Sequence, residues 1–175
     1  MRNCNGSRRK IHLVPSDLIS LGPITIRIDH DEKEISGIFF SDENHEIPNP
    51  TSSLLKDFLS QWKNVLEKKS GGIEIPFKEL ENQFQKEVLE VVNQIPIGET
   101  MTYLEIAEQL DGPNMTRAVA RAIATNPYPI LIPCHRVLGK NGDLRGYLGG
   151  LDIKYWLLKE EGINLPAKQA ELFYE

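Results

Sequence analysis

The sequence predicts an α+β fold: a small N-terminal α/β domain with a short antiparallel sheet over residues 1–75, then a mainly helical C-terminal domain with a helix-turn-helix over 76–175. Three observations predict it. Ile24-Thr25-Ile26-Arg27-Ile28 alternates apolar and polar residues, as a half-buried strand does. From Phe84 onward, apolar residues recur at helical spacing in three successive segments. Between two of these lies Asp111-Gly112-Pro113-Asn114, a short run of helix-breaking types.

The elements follow in order. Residues 11–14 read as an additional strand. A partner for 24–28 lies over 34–40, where Ile35, Ile38, Phe39 and Phe40 supply the apolar positions, and the turn-like 29–33 makes the pair a hairpin. Pro48-Asn49-Pro50 breaks the pattern. Leu54, Leu55, Phe58, Trp62, Val65 and Leu66 then mark an amphipathic helix running to Lys69 and ended by Gly71-Gly72. Phe84, Val88, Leu89, Val91 and Val92 mark the next, closed by Pro96-Ile97-Gly98. Thr102 offers an N-cap with Glu105 as its capping-box partner, and Tyr103, Ile106, Ala107 and Leu110 form that helix's inner face. Met115, Ala118, Val119, Ala122 and Ile123 form the inner face of the following one. Two short helices around a glycine-containing turn have the layout of a helix-turn-helix. Gly139-Lys140-Asn141-Gly142 is a turn, and the glycine-rich 145–150 is a candidate pocket wall. Leu151 to Glu161 makes the last helix, with Gly162 at its C′ position.

Composition narrows the function. Hydrophobic content of 40% and charged content of 26% over 175 residues describe a globular chain. No apolar run reaches membrane-spanning length, and the N-terminus lacks the apolar core of a secretory signal. Two cysteines, Cys4 and Cys134, cannot build a disulfide framework, which fits a reducing setting: the cytoplasm, or the nucleus of a eukaryote. Cys4 with His12, His30 and His45 has no zinc-ligand spacing, so no metal site is expected.

The net charge of −5 argues against a generic nucleic-acid binder, but the charge is segregated. Residues 112–150 hold five Lys/Arg and one acid, while 29–46 hold seven acids and one lysine. That suggests one positive face able to meet a polyanion, with ordinary surface variation as the alternative. Arg117, Ala120, Arg121 and Ala124 fall at i, i+3, i+4 and i+7 on the outward face of the second helix of the pair. Two arginines there can reach phosphates or a base-pair gap, and the alanines permit close approach.

The chemistry concentrates in Ile132-Pro133-Cys134-His135-Arg136-Val137. A thiol reacts as its thiolate, which nearby positive charge or a helix N-terminus stabilises. His135 can serve as the base that removes the proton. Free cysteines are more often buried and inert, so context decides. Here Asn126-Pro127-Tyr128-Pro129-Ile130-Leu131-Ile132-Pro133 precedes the thiol, and three prolines in eight residues exclude a regular helix. An extended, stiff connector delivering Cys134 to a set place is the expectation. Glu160 and Glu161 sit in the last turn of the final helix, where the dipole disfavours anions. Either can orient His135, or both are solvated charges.

Pro133-Cys134-His135-Arg136-Val137, the Asn126-Pro127…Pro129-Ile130 approach, Gly98-Glu99-Thr100…Tyr103…Ile106-Ala107 and Tyr147…Gly149-Gly150 together resemble the O6-alkylguanine-DNA alkyltransferase (methylated-DNA–protein-cysteine methyltransferase) family over 77–163. The resemblance implies that Cys134 accepts an alkyl group from O6 of guanine in an SN2 step, with His135 as base through a water. It implies that Glu161 fixes the imidazole tautomer and that Asn126 braces the cysteine turn. Arg117 would enter the duplex and fill the gap left by the extruded base, with Ala120, Arg121 and Arg136 among the DNA contacts. Tyr103 would press on the phosphate beside the target and protonate the leaving guanine. Tyr103, Val137, Tyr147, Leu148 and Gly149 would wall the base pocket. The implied partner is double-stranded DNA carrying O6-alkylguanine, with O4-alkylthymine a further candidate. No cofactor and no membrane are implied, and a monomer that is spent after one turnover is expected.

Two positions depart from the family pattern: Leu148 replaces a small polar residue, and Ala120 a frequent glycine. The rival readings are a helix-turn-helix regulator with a structural or redox cysteine, and a cysteine hydrolase. Cys134→Ala should abolish transfer and leave DNA binding intact, while Cys4→Ala should change little. A peptide map that finds the methyl group on Cys4 contradicts this.

Overall fold

The structure is a computed structural model that describes residues 15–42, 50–68 and 71–165. It opens with an antiparallel meander of β1 (Ser16–Leu21), β2 (Ile24–His30) and β3 (Ile35–Ser41). Ile24, Ile26 and Ile28 are buried while Arg27 points outward, the alternation that makes one sheet face apolar. Asp31 closes the β2–β3 hairpin: its carboxylate accepts the N–H groups of Lys33 and Glu34 at 2.7 and 2.9 Å. The strand expected over 11–14 and Cys4 lie outside the described residues. β1 is an addition to the expected elements. Its turn into β2 is Gly22-Pro23, where Gly22 has φ +68° and a Cβ would come within 3.0 Å of the Trp156 ring.

The edge of β3 is covered by later chain. Ile35 N–H donates to Pro76 O (2.9 Å), Lys78 N–H to Ile35 O (2.8 Å) and Ile38 N–H to Pro127 O (2.9 Å). α1 (Ser53–Lys68) buries Leu55, Phe58, Trp62 and Val65 at alternating three- and four-residue spacing. One apolar cluster runs from the sheet through this helix to the C-terminal helices.

α2 (Gln83–Asn93) is capped by Asn82, whose side chain accepts from Gln85 N–H at 2.9 Å. α3 (Tyr103–Gln109) starts with the expected capping box: Glu105 N–H donates to Thr102 Oγ1 (3.2 Å) and Thr102 N–H to Glu105 Oε2 (2.6 Å). Asp111 then turns the chain with φ +54°, and a 3-10 turn at Pro113–Met115 leads into α4 (Thr116–Ala124). α4 buries Val119, Ala122 and Ile123. Met115 and Ala118, expected on its inner face, are exposed. The helix begins one residue after Met115, whose side chain folds over Gly112 instead.

Two short parallel strands, β4 (Met101–Thr102) and β5 (Val137–Leu138), tie the start of α3 to the segment that follows Cys134. α5 (Leu151–Glu160) ends in a Schellman motif: Gly162 N–H donates to Lys159 O and Ile163 N–H to Leu158 O, both at 2.9 Å, with Gly162 at φ +84°.

One contact fixes the sheet against the later loop. A Cβ on Gly149 would lie 2.9 Å from three atoms of the Phe40 ring, and Phe40 meets Tyr147 edge-on with centroids 5.4 Å apart. Gly149→Ala should therefore cost about 1–3 kcal/mol through overpacking. Phe40→Leu in that background should recover part of it in urea unfolding. Additive losses in the double variant would mean that the contact is not what constrains Gly149.

Candidate active site

The site is built around a loop that folds back on itself. Asn126 Nδ2 donates to Ile132 O (3.1 Å), and Asn126 Oδ1 accepts from Tyr128 N–H (3.0 Å). Ile132 N–H closes onto Tyr128 O at 2.8 Å. The prolines exclude a helix, as expected, but the segment is a tight turn and not an extended connector. Its tip is Ile130, a β-branched residue at φ +75°. Such a conformation persists only where the surroundings over-determine it. Buried Ile130, Leu131 and Ile132 and the doubly bonded Asn126 do so here.

Cys134 opens a single 3-10 turn, Cys134–Arg136, and is only 3% exposed. Behind it, Glu161 caps α5 inside the protein. His135 Nε2 lies 2.9 Å from Glu161 Oε1. Arg136 donates to both carboxylate oxygens, Nε to Oε2 at 2.8 Å and Nη2 to Oε1 at 2.7 Å, and its Nη1 donates to Ile95 O at 2.6 Å. Burial pushes the Glu161 carboxyl up, but the bonds from His135 and Arg136 outweigh it and hold it down at about 2. An ionised carboxylate only accepts, so the imidazole proton sits on Nε2 and Nδ1 keeps its lone pair. Nδ1 is buried and has no partner among the described atoms. Burial also lowers the His135 pKa, against the pull of Glu161, which leaves a neutral ring able to take a proton.

Burial pushes the Cys134 thiol up, opposed by a hydrogen bond from Asn126, the charge of Lys154 and a backbone N–H. The Arg136 guanidinium does not supply it, because it is committed to Glu161.

Tyr103, Ile123, Ala124, Gly146, Tyr147 and Leu148 surround Cys134 in a recess of about 20 Å³, room for about one water or methyl group. The recess shares Tyr103, Ala124, Gly146, Tyr147 and Leu148 with a wider pocket of about 480 Å³ that is also lined by Ala120 and Arg145. Burial raises the pKa of both tyrosines, and the nearby Cys134 adds to it, so each keeps its hydroxyl proton. The Tyr147 hydroxyl is buried and, like His135 Nδ1, has no partner among the described atoms. Another cleft of about 480 Å³, lined by Trp62, Ile97 and Pro133 among others, touches Arg136 and Glu161 but not Cys134. The recess beside the thiol is therefore where chemistry can occur.

The structure thus gathers Cys134, His135, Asn126, Glu161, Tyr103, Tyr147 and Leu148, with Leu148 at the rim and 52% exposed. Arg117 and Arg121 are exposed on α4, and Ala120 is half-buried. Three expectations are corrected. Arg136 is not placed as a DNA contact: it is buried, and all three of its guanidinium nitrogens donate within the protein, to Glu161 and to Ile95 O. Val137 is not among the residues that line the recess or the wider pocket, and its side chain packs in the core from β5. Gly149 faces Phe40 rather than the pocket. Sequence reasoning missed Lys154, which is fully buried and donates to Val137 O (2.6 Å) and Arg145 O (2.9 Å). The signal was its place on the apolar stripe with Leu157 and Leu158, at i+3 and i+4. Among the described residues no His/Cys/Asp/Glu cluster is arranged to hold a metal, and no helix is long and apolar enough to cross a membrane.

Glu161→Gln should strand the buried Arg136 charge at a cost of about 3–5 kcal/mol. A carboxyl held at about 2 contributes stability that is complete above its ordinary 4.5 and lost as pH falls toward 2. Unfolding measured from pH 6 to 2 should show that loss in the native protein and a smaller one in Glu161→Gln. Parallel profiles would remove Glu161 as the source.

Residues 83–163 match the family described as 6-O-methylguanine DNA methyltransferase, DNA binding domain. A methylated-DNA–protein-cysteine methyltransferase of Methanosarcina mazei is 43% identical over 141 residues, covering 77% of this chain and 89% of that protein. The crystal structure of Mycobacterium tuberculosis OGT in complex with DNA is similar at a TM-score of 0.72 and 29% identity, over 83% of this chain and 91% of that one. An O6-methylguanine DNA methyltransferase from Methanococcus jannaschii gives 0.57 at 29% identity, over 85% and 95%. With likeness extending through most of both chains and across the buried cysteine turn, this chain belongs to the methylated-DNA–protein-cysteine methyltransferase family.

Proposed function

We propose that this protein repairs DNA by moving an alkyl group from O6 of guanine to Cys134, once per molecule. The observation that carries it is a buried thiol beside a neutral imidazole whose other nitrogen is held by an ionised, buried carboxylate. The thiol proton passes through a water to His135 Nδ1, and Glu161 stabilises the imidazolium. Sulfur attacks the alkyl carbon, the S–C bond forms as the C–O6 bond breaks, and the electron pair goes to O6. The leaving guanine takes a proton from the Tyr103 hydroxyl, which lines the recess. The product is a thioether with no easy exit, so turnover stops.

A base stacked in a duplex cannot reach a thiol at the foot of a recess, so the nucleotide must be extruded. The face of α4 supports this: Arg117 is exposed, and Ala120 lines the wider pocket. Arg117 replaces the extruded base, Arg121 takes phosphate, and Tyr103, Tyr147 and Leu148 wall the flipped guanine. We read residues 76–175 as the domain that binds DNA and accepts the alkyl group, 1–75 as its support, and the cytoplasm as the place of action.

Intact mass after incubation with duplex O6-methylguanine DNA tests the reading. A gain of one methyl per chain is expected, and more than one product per protein molecule would overturn it. Arg117→Ala should slow repair of duplex DNA far more than dealkylation of free O6-benzylguanine. Equal slowing of both would place Arg117 in the support of the site. Leu148→Ser should speed methyl transfer relative to benzyl transfer, since one neutral hydrogen bond is worth about 0.5–1.5 kcal/mol. An unchanged ratio would mean that the rim side chain does not meet the substrate.

A further inference from the structure

Lys154 is a full-length cation with no exposed surface. A buried ammonium is costly unless it is hydrogen-bonded and its charge is compensated. The hydrogen bonds are present: Nζ donates to Val137 O at 2.6 Å and to Arg145 O at 2.9 Å. These acceptors lie on β5, just past the cysteine turn, and on the loop that carries Tyr147 and Leu148. Carbonyls have no formal charge, and among the described residues no carboxylate forms an ion pair with Lys154.

In the cysteine turn, Arg136 is neutralised by Glu161 of the α5 cap, and burial keeps His135 neutral. On α3 and the pocket loop, Tyr103 and Tyr147 keep their protons. Arg145 is exposed and paired with Asp143 at 3.4 Å. Lys154 remains, and the charge that acts on it is that of Cys134. Burial pushes the Lys154 amine down to about 8, and the Cys134 charge opposes that shift. The coupling is mutual, since Lys154 in turn favours the Cys134 thiolate.

We propose that Lys154 is a positioning residue of the alkyl-acceptor site: its buried ammonium pins the pocket loop to β5 and is the counter-charge of the Cys134 thiolate. It rests on the reading of Cys134 as acceptor, but its test needs neither DNA nor O6-alkylguanine. In a Cys4→Ala background, the rate at which iodoacetamide alkylates Cys134 is followed by intact mass from pH 6 to 10, with thermal unfolding to confirm folding. Lys154→Met should move the midpoint upward by about one pH unit and slow the reaction at pH 7 about tenfold. Lys154→Arg, which keeps the charge, should restore most of that loss. A Lys154→Met profile that coincides with the parent would overturn the proposal, since a tether alone does not move the thiol's titration. Should Lys154→Met fail to fold, the Lys154 side chain can be titrated by carbon NMR in the parent, before and after Cys134 is capped with iodoacetamide. Loss of the thiolate should lower the lysine's midpoint, and an unchanged one would equally overturn the proposal. A protein that ignores O6-methylguanine DNA but shows the shifted profile would fail the repair reading and leave this one standing.

Discussion

Glu161 holds together groups that the rest of the site depends on. Its two oxygens neutralise Arg136 and fix His135, and its backbone caps α5. An anion at a helix C-terminus is unfavourable by itself, and a buried one more so. Two charge-assisted bonds from one guanidinium reverse that balance. Gly162 makes the position possible. By turning the chain left-handed immediately after Glu161, it ends the helix where the carboxylate meets the cysteine turn. The arrangement is a lock in which the helix end, the tautomer of a base and a buried ion pair are one object.

The loop bearing Cys134 is held just as tightly from its other side. Asn126 satisfies two backbone groups inside the turn, and the same segment meets the sheet where Pro127 O accepts from Ile38 N–H. The N-terminal meander is therefore more than a neighbour. Through Phe40 and Tyr147 it also sets the position of the pocket wall. Rigidity at the nucleophile is what an in-line displacement requires, because reactivity depends on a near-attack geometry.

The parts legible in the sequence were those whose cause is local. Alternation in Ile24–Ile28 gave a strand, Thr102 and Glu105 gave a helix start, and the run Cys134-His135 marked the turn that lies beside the recess. β1 was missed because Leu18, Ile19 and Leu21 do not alternate cleanly: Leu18 is half-buried on the outer side. Arg136 was misassigned because a basic residue beside a DNA-active thiol looks like a phosphate contact. Its partner lies in α5's cap, and no local pattern reveals it. Gly149 shows the same limit. A glycine in a glycine-rich loop reads as pocket lining, and the ring that forbids a side chain there belongs to β3.

Ala120 and Ala124 are one helical turn apart on α4, on the face that also carries Arg117, and both line the pocket that leads to Cys134. The helix that would lie against DNA is thus itself a wall of the reaction chamber. In the proposed reaction a nucleotide leaving the duplex has no intervening surface to cross, because the doorway and the groove-facing side of the helix are the same few ångströms of protein. Inspection of a base and commitment to its repair then become one movement, and a protein that reacts once needs no separate route for handing a damaged base onward.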